Sequence, residues 1–270
     1  MNIRVIKDFS FKLLGYFLIL FIIAILVAIT GSIIINGLHS ITLKMLIENG
    51  DTTSGGIFNA IVGTWMLVGV GILFSVPIGI FSAIFIVEYG WKRYNSIVRV
   101  FTDVLTSTPS IVLGLFGYLF LVIQLGFGYS LLAGGITLGI MMLPYILRVT
   151  EISLTEVPTN IKEAAISLGA KKMDLIFRIM LPYAKNGIIT STILAISIGA
   201  GETAQLLYTA GWNNGIPNSL IKSQVAYLTY VVWAGINQPS NYSHQLAFAS
   251  GLILIITVFS LIFISKYIKR

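Results

Sequence analysis

Long stretches without a charged residue restrict the possible folds of this chain more than any other feature of its sequence. Leu13 to Ile35 is an apolar run of 23 residues, and Ile57 to Val87 is an uncharged run of 31. A further 44 uncharged residues lie between Asp103 and Arg148. Because a helix rises about 1.5 Å per residue, about 20 residues cross a hydrocarbon core of about 30 Å. The sequence therefore predicts an all-α integral membrane protein.

These runs divide into six predicted transmembrane helices. The first two runs each supply one helix, and the 44-residue run is long enough for two more, with a turn at Gly126-Phe127-Gly128. We expect the fifth helix to start after Pro182, near Asn186 or Gly187, and the sixth to cover Leu246 to Ser265.

Composition agrees with a membrane protein and excludes several kinds of chemistry. The chain is 56% hydrophobic and 10% charged, whereas soluble chains carry about 25% charged residues. Without cysteine it has no disulfide, no thiol catalysis and no cysteine-ligated metal.

We assign residues 1–54 to an N-terminal cytoplasmic segment, the first span and an external loop, and residues 55–270 to a core with five further spans. His39 and His244 are isolated, so we expect no metal site.

Basic residues predict how the chain lies in the membrane. Its net charge of +7 could indicate a nucleic-acid partner, but the basic residues sit at the ends of apolar runs, so lipid orientation explains them better. With the N-terminus inside, 15 of the 17 basic residues fall in cytoplasmic segments, and only Lys44 and Lys222 lie outside. We therefore expect a multi-pass plasma-membrane protein with both termini cytoplasmic and no nucleic-acid partner.

The longest polar-rich interval between predicted spans is Lys162 to Pro182. Asn160 can cap a short helix there, and Glu163, three residues later, completes a capping box. Four apolar residues recur at helical spacing and share one face: Ile161, Ala164, Ala165 and Leu168. Gly169 suits the left-handed residue that ends such a helix. About eight residues are too few for a stable helix in water, so we expect a partner protein to support it.

Glu202 is the one acidic residue predicted to lie within a span. With the fifth helix starting near Gly187, Glu202 lies about 22 Å along its axis. A buried carboxylate in a membrane is costly, so it should face a polar partner or a water-filled path. Five residues are predicted to share this face: Ser191, Ile198, Glu202, Gln205 and Thr209. We favour a translocation pathway over a glutamate that only holds helices together.

The polar interval resembles a known motif. Glu163-Ala164-Ala165, Gly169 and Ile179-x-Leu181-Pro182 resemble, at the same spacing, the EAA loop of ABC-importer permease subunits. In that family the loop is a cytoplasmic coupling helix that docks in a groove of the ATPase subunit. The alternative is an ordinary surface helix that ends at a glycine.

A second resemblance points to one branch of this family. Gly201 to Ala210, GETAQLLYTA, resembles the GETAPLLFTA segment of PstA-type permeases of the phosphate-specific ABC importer. Glu88-Tyr89-Gly90 and Thr106 to Leu115 also fit that branch, and the resemblance extends from about residue 55 to the C-terminus. The sequence departs from it at two positions: Gln205 replaces an expected proline, and Ile198 an expected arginine.

The resemblance implies an ABC-importer permease fold that forms half of a translocation pathway for inorganic phosphate. Implied partners are a second homologous permease, two copies of an ATPase and an external phosphate-binding protein. No phosphate-binding Gly-x-x-x-x-Gly-Lys-Ser/Thr loop occurs, so ATP hydrolysis is expected on another chain and neither enzymatic activity nor a cofactor on this one. The implied coupling residues are Glu163, Ala164, Ala165, Gly169, Ile179, Leu181 and Pro182. The candidate pathway residues are Arg148, Glu202, Thr203, Gln205 and Thr209.

Three alternatives remain open at this point. The nearest is an ABC permease for another oxyanion, such as molybdate or sulfate, or for a phosphonate. The second is an ion-coupled secondary transporter or channel that uses Glu202 as its proton or cation site. The third is a purely structural membrane subunit.

Overall fold

The computed structural model describes residues 3–268, with side chains throughout that range except at 3–11 and 92–94. Within it the chain forms α-helices and two π-helical segments and no β-strand. The elements are, in order, α1 (Ile3–Ser40), α2 (Leu43–Ile47), α3 (Phe58–Glu88), α4 (Lys92–Ser107), α5 (Ser110–Gly117), π1 (Tyr118–Gln124), α6 (Leu131–Thr155), α7 (Thr159–Ser167), α8 (Lys172–Asp174), π2 (Leu175–Met180), α9 (Leu181–Ala200), α10 (Leu206–Thr209), α11 (Leu228–Ile236) and α12 (Asn241–Ile268).

Five helical stretches in the described range are long and apolar enough to cross a membrane. They are Lys12–Ser40, Phe58–Glu88, Leu131–Thr155, Lys172–Ala200 and Asn241–Ile268. A sixth crossing is formed when α4 and the α5–π1 segment, which bend by 102° relative to each other, count as one broken span. The predicted all-α membrane architecture is confirmed, and the third predicted span is a bent pair of helices and not one straight helix.

The break falls at Pro109, between α4 and α5. Proline has no backbone N–H and disfavours helical geometry in the residue before it, so α4 ends and a new helix begins. The predicted turn at the far end of this hairpin is confirmed, because Gly126 and Gly128 have φ values of +68° and +64°. These left-handed conformations reverse the chain into α6.

The core lies where α3, α6 and α9 pack together. Small residues allow this close approach: a Cβ added at Gly139 would lie 2.8 Å from the carbonyl oxygen of Gly71 across the α3–α6 contact. A side chain at Gly187 of α9 would collide with Ser153 of α6. By contrast, α1 packs against α12, where Gly37 meets Leu252, and leaves most of its apolar surface exposed. We call the end of the bundle where α3 and α6 finish and α9 begins the α7 end.

Candidate coupling helix and pathway residues

The helix predicted in the polar interval is present as α7, but it starts earlier than expected. Pro158 occupies its N-cap position, and the Pro158 carbonyl accepts hydrogen bonds from the N–H groups of Ile161 at 3.1 Å and Lys162 at 3.4 Å. The predicted capping box is therefore wrong. Asn160 already lies in the first turn, where its Oδ1 accepts from the adjacent Ile161 N–H at 2.9 Å, and the Glu163 side chain is exposed.

The end of α7 is as predicted. Gly169 has a φ of +82°, and its N–H donates to the Ile166 carbonyl at 2.9 Å, while the Ala170 N–H donates to the Ala165 carbonyl at 3.0 Å. This pair of bonds is a Schellman motif, which satisfies carbonyls that the last helical turn would otherwise leave open. A Cβ added at Gly169 would meet nothing within 4 Å, so glycine is required by the backbone conformation and not by space.

Most of the apolar face predicted on α7 has no partner within this chain. Ala165 is buried in an apolar cluster with residues of α3, α6 and π2. Ile161 and Ala164 are exposed, and Leu168 is 90% exposed. Ile166, which the predicted face omitted, is also exposed. α7 therefore packs on the bundle through Ala165, and its other apolar side chains are exposed.

The other residues of the EAA resemblance lie in helices and not in a loop. Ile179 belongs to π2, and Leu181 and Pro182 form the first turn of α9. Ile179 and Leu181 pack against the cluster that buries Ala165, whereas Pro182 is exposed. The predicted start of the fifth span near position 186 is wrong, because the helical stretch already begins at Lys172.

Two glutamates at the α7 end make ion pairs that the sequence did not predict. Glu88, the last residue of α3, places Oε1 3.2 Å from Lys162 Nζ and Oε2 2.8 Å from Lys172 Nζ. Glu151 of α6 places Oε1 2.6 Å from an Arg99 nitrogen and Oε2 3.2 Å from an Arg148 nitrogen. Glu88 thus links α3 to α7 and to α8, and Glu151 links α6 to α4.

Glu151 also overturns the prediction that Glu202 is the only acidic residue within a span. Glu151 lies inside α6 with a side chain 5% exposed. Its charge is compensated by two arginines whose side chains are more than half exposed, as a buried carboxylate requires. The i,i+3 spacing of Arg148 and Glu151 was the signal available in the sequence.

Glu202 lies outside the fifth helix, which ends at Ala200. The Glu202 N–H donates to the Gly199 carbonyl at 3.2 Å in a tightened last turn, and the Glu202 carbonyl accepts from Thr229 Oγ1 at 2.7 Å. The predicted common face with Ser191 is therefore wrong, since the helix that would create it is interrupted. The Glu202 side chain is half-buried, and among the described residues no basic group lies within 4.0 Å of its carboxylate.

The remaining candidate pathway residues fall into two groups. Thr203 is half-buried next to Glu202, whereas Gln205 and Thr209 are fully buried. Gln205 packs closely against Gly114 of α5: a Cβ added at Gly114 would lie 2.6 Å from the Cα of Gln205. Thr209 Oγ1 donates to the Gln205 carbonyl at 2.9 Å. The segment that follows Glu202 is therefore packed into the bundle through the Gln205 and Thr209 side chains.

Arg148 is held apart from this group. Leu138 of α6 and Glu202 line the same small void. Arg148 lies ten residues after Leu138 on α6, which is about 15 Å along the helix axis at 1.5 Å per residue. Its guanidinium is engaged by Glu151. Among the described residues, no three His, Asp or Glu side chains are grouped closely enough to hold a metal ion.

Known proteins resemble this chain in both sequence and fold. A family model described as "Binding-protein-dependent transport system inner membrane component" matches residues 75–270. The phosphate transport system permease protein PstA 2 of Mycobacterium bovis is 40% identical over 84% of this chain and 75% of its own length. PstA of Pasteurella multocida is 32% identical over 98% of this chain and 97% of its own length. A chain of a bacterial alginate ABC transporter shares the fold, with a TM-score of 0.64 at 15% identity over 99% of this chain and 97% of that one.

Proposed function

Because the chain belongs to the family of binding-protein-dependent transport system inner membrane components, we propose that it is the permease subunit of an ATP-driven importer of inorganic phosphate. The chain is a transport component and not an enzyme. Its relatives in Mycobacterium and Pasteurella are named for phosphate transport, and this supports phosphate as the substrate.

The observation that carries the proposal is the unpartnered apolar surface of α7. Ile161, Ile166 and Leu168 are exposed on, or just after, a short helix that is fixed to the bundle through Ala165. An exposed apolar patch of this kind marks an interaction surface. An ATPase subunit that covers these side chains would convert its own movement into movement of the bundle. We assign this coupling to Glu163, Ala164, Ala165, Gly169, Ile179, Leu181 and Pro182.

Orientation and partners follow from the same proposal. On the basis of the positive-inside distribution, we assign the α7 end and both termini to the cytoplasm, where ATP is available to a separate ATPase dimer. A second homologous permease would complete the pathway, and an external binding protein would deliver phosphate from the opposite side. ATP-driven closure of the ATPases would switch the bundle between outward-open and inward-open states, as in other alternating-access transporters.

We assign contact with a partner or substrate to Glu202 and Thr203, because these two are half-buried whereas Gln205 and Thr209 are fully buried. Phosphate and Glu202 repel each other unless a cation lies close by. Arg148 cannot supply this cation, because it lies about 15 Å along α6 from the level of Glu202. Its guanidinium is also already paired with Glu151. We therefore assign the cation to the second permease, which would pair with Glu202 across the subunit interface.

Docking of the ATPase is tested by polar substitution of the exposed apolar side chains. Leu168→Ser and Ile166→Ser should reduce the amount of ATPase that co-purifies with the membrane-inserted permease. Leu43→Ser is the matched control, because Leu43 is also exposed but lies in α2, outside α7. Equal ATPase recovery in all three variants would contradict a docking role for α7.

The substrate is tested by uptake into cells that lack this gene. Under phosphate starvation, labelled phosphate uptake should be lost and should return when the chain is expressed from a plasmid. Normal phosphate uptake with loss of molybdate or sulfate uptake would refute phosphate as the substrate and leave the assignment to an ATP-driven importer intact. Uptake that an uncoupler abolishes and that is indifferent to loss of the ATPase would instead support ion-coupled transport.

A further inference from the structure

The segment Glu88-Tyr89-Gly90, where α3 ends, has no role in the function proposed so far, yet it makes polar contacts with α7 and with Lys172, which follows it. The Glu88 carboxylate bridges Lys162, in the first half of α7, and Lys172, five residues after α7 ends. Lys172 Nζ also donates to the Glu88 backbone carbonyl at 2.8 Å. One carboxylate therefore holds α7 and the start of α8 to a single point on α3.

Tyr89 and Gly90 support the same arrangement. Lys172 Nζ lies 5.0 Å from the centre of the Tyr89 ring, a cation–π contact. A side chain at Gly90 would collide with the Asn95 carboxamide, whose nitrogen donates at 3.0 Å to the Ile86 carbonyl in the last turn of α3. Glycine at position 90 therefore allows Asn95 to satisfy a helix-end carbonyl beside Glu88.

The Glu88 ion pairs are better shielded from water than ordinary surface pairs. The Glu88 and Lys162 side chains are 10% and 20% exposed, against 39% and 81% for the Asp174–Arg178 pair on the neighbouring helical stretch. Shielded pairs are screened less by water and salt than exposed ones. Ala83 and Ile84 of α3 lie in the same apolar cluster as Ala165 of α7, so α3 and α7 share this cluster as well as the Glu88–Lys162 ion pair.

We propose that Glu88 is the positioning residue that makes α7 and α3 move as one body. A displacement of α7 by the ATPase then passes directly to α3 and, through the α3–α6 contact, to the rest of the bundle. Without the carboxylate, Lys162 and Lys172 are left as like charges with no counterion, and α7 can shift relative to α3. The inference rests on the docking role proposed for α7 and names the connection by which docking is transmitted.

The first test measures ATP hydrolysed per phosphate imported by the complete complex in proteoliposomes. Glu88→Gln removes the charge from both ion pairs and should raise this ratio about fivefold, which corresponds to about 1 kcal/mol. Glu88→Asp keeps the charge and should recover most of the coupling, and Asp174→Asn is the matched control on a surface pair. Equal ratios in Glu88→Gln and Asp174→Asn would overturn the inference.

The second test uses the absence of native cysteine. The double variant Glu88→Cys, Lys162→Cys should be poorly coupled, because both ion-pairing groups are gone. Joining the two thiols with a short bifunctional reagent should restore coupled transport if α3 and α7 move together. If α7 instead moves relative to α3, the cross-link will stop transport, and the inference is wrong.

The two proposals fail in different ways. Uncoupled transport in Leu168→Ser with normal coupling in Glu88→Gln would reject the connection through Glu88 and leave the docking role of α7 in place. Normal coupling and normal ATPase recovery in both variants would reject the docking role itself.

Discussion

Replacing Gly169 with valine isolates the backbone contribution to the α7 structure. The residue has a φ of +82°, and an added Cβ meets no atom within 4 Å, so the cost of adding the Cβ is conformational and not a collision. Left-handed geometry costs an L-residue about 1–2 kcal/mol, with a β-branched side chain at the upper end. The equilibrium constant for forming this helix end should therefore fall by about 5- to 30-fold. Since short helices are marginal alone, that change populates a frayed α7.

The assay compares a graded series in the reconstituted complex. ATP hydrolysed per phosphate imported should rise in the order glycine, Gly169→Asn, Gly169→Ala, Gly169→Val. Asparagine is the matched control, because it adopts the left-handed conformation more readily than other residues with a Cβ. Membrane insertion, measured by the amount of permease recovered, should be the same in all four proteins.

Two outcomes would refute this reasoning. If valine couples as well as glycine, the Schellman end of α7 has no part in coupling. If asparagine and valine are equally impaired, the flexibility of glycine and not its left-handed conformation is what α7 requires.

Three further outcomes are expected. Single cysteines at Lys171 and Asn49, both exposed, should react with an impermeant thiol reagent from the cytoplasmic and external sides respectively; the reverse would overturn the orientation. Glu151→Gln should lower the free energy of unfolding in detergent by about 2 kcal/mol, because the arginine partners of Glu151 are half exposed and screened. Arg99→Ala should lower it by less, because Arg148 remains. Thermal unfolding measures both. Glu202→Gln should reduce phosphate uptake without preventing complex assembly, and normal uptake would remove Glu202 from the pathway.

Hydropathy predicted which segments cross the membrane but not where each helix starts and stops. The fifth span begins near Lys172 instead of position 186, because Asp174 and Arg178 pair on the helix surface at 3.2 Å and let charged residues continue the helix. It stops at Ala200 in a polar turn fixed by Thr229, whose hydroxyl binds the Glu202 carbonyl from 27 residues away. A tertiary hydrogen bond of this kind leaves no periodic pattern in the sequence.

The candidate site was predicted where the requirement is local and missed where it depends on distant contacts. Gly169 was identified correctly because a helix end needs a left-handed residue within one turn. Glu88 became informative only when the fold brought lysines from other helices to it, and Glu151 was informative only in part before that, through Arg148 on its own helix. The helical face assigned to Glu202 failed because it assumed an unbroken helix past Ala200.

The central claim is that this chain forms an ATP-driven pathway for phosphate, and one measurement tests it directly. The permease, its homologous partner, the ATPase and the binding protein are reconstituted in proteoliposomes, and entry of labelled phosphate is followed with and without ATP. The account predicts phosphate accumulation that needs ATP and this chain, continues in the presence of an uncoupler, and is not reduced by excess molybdate or sulfate. Accumulation that proceeds without ATP, or that the uncoupler abolishes, would contradict it.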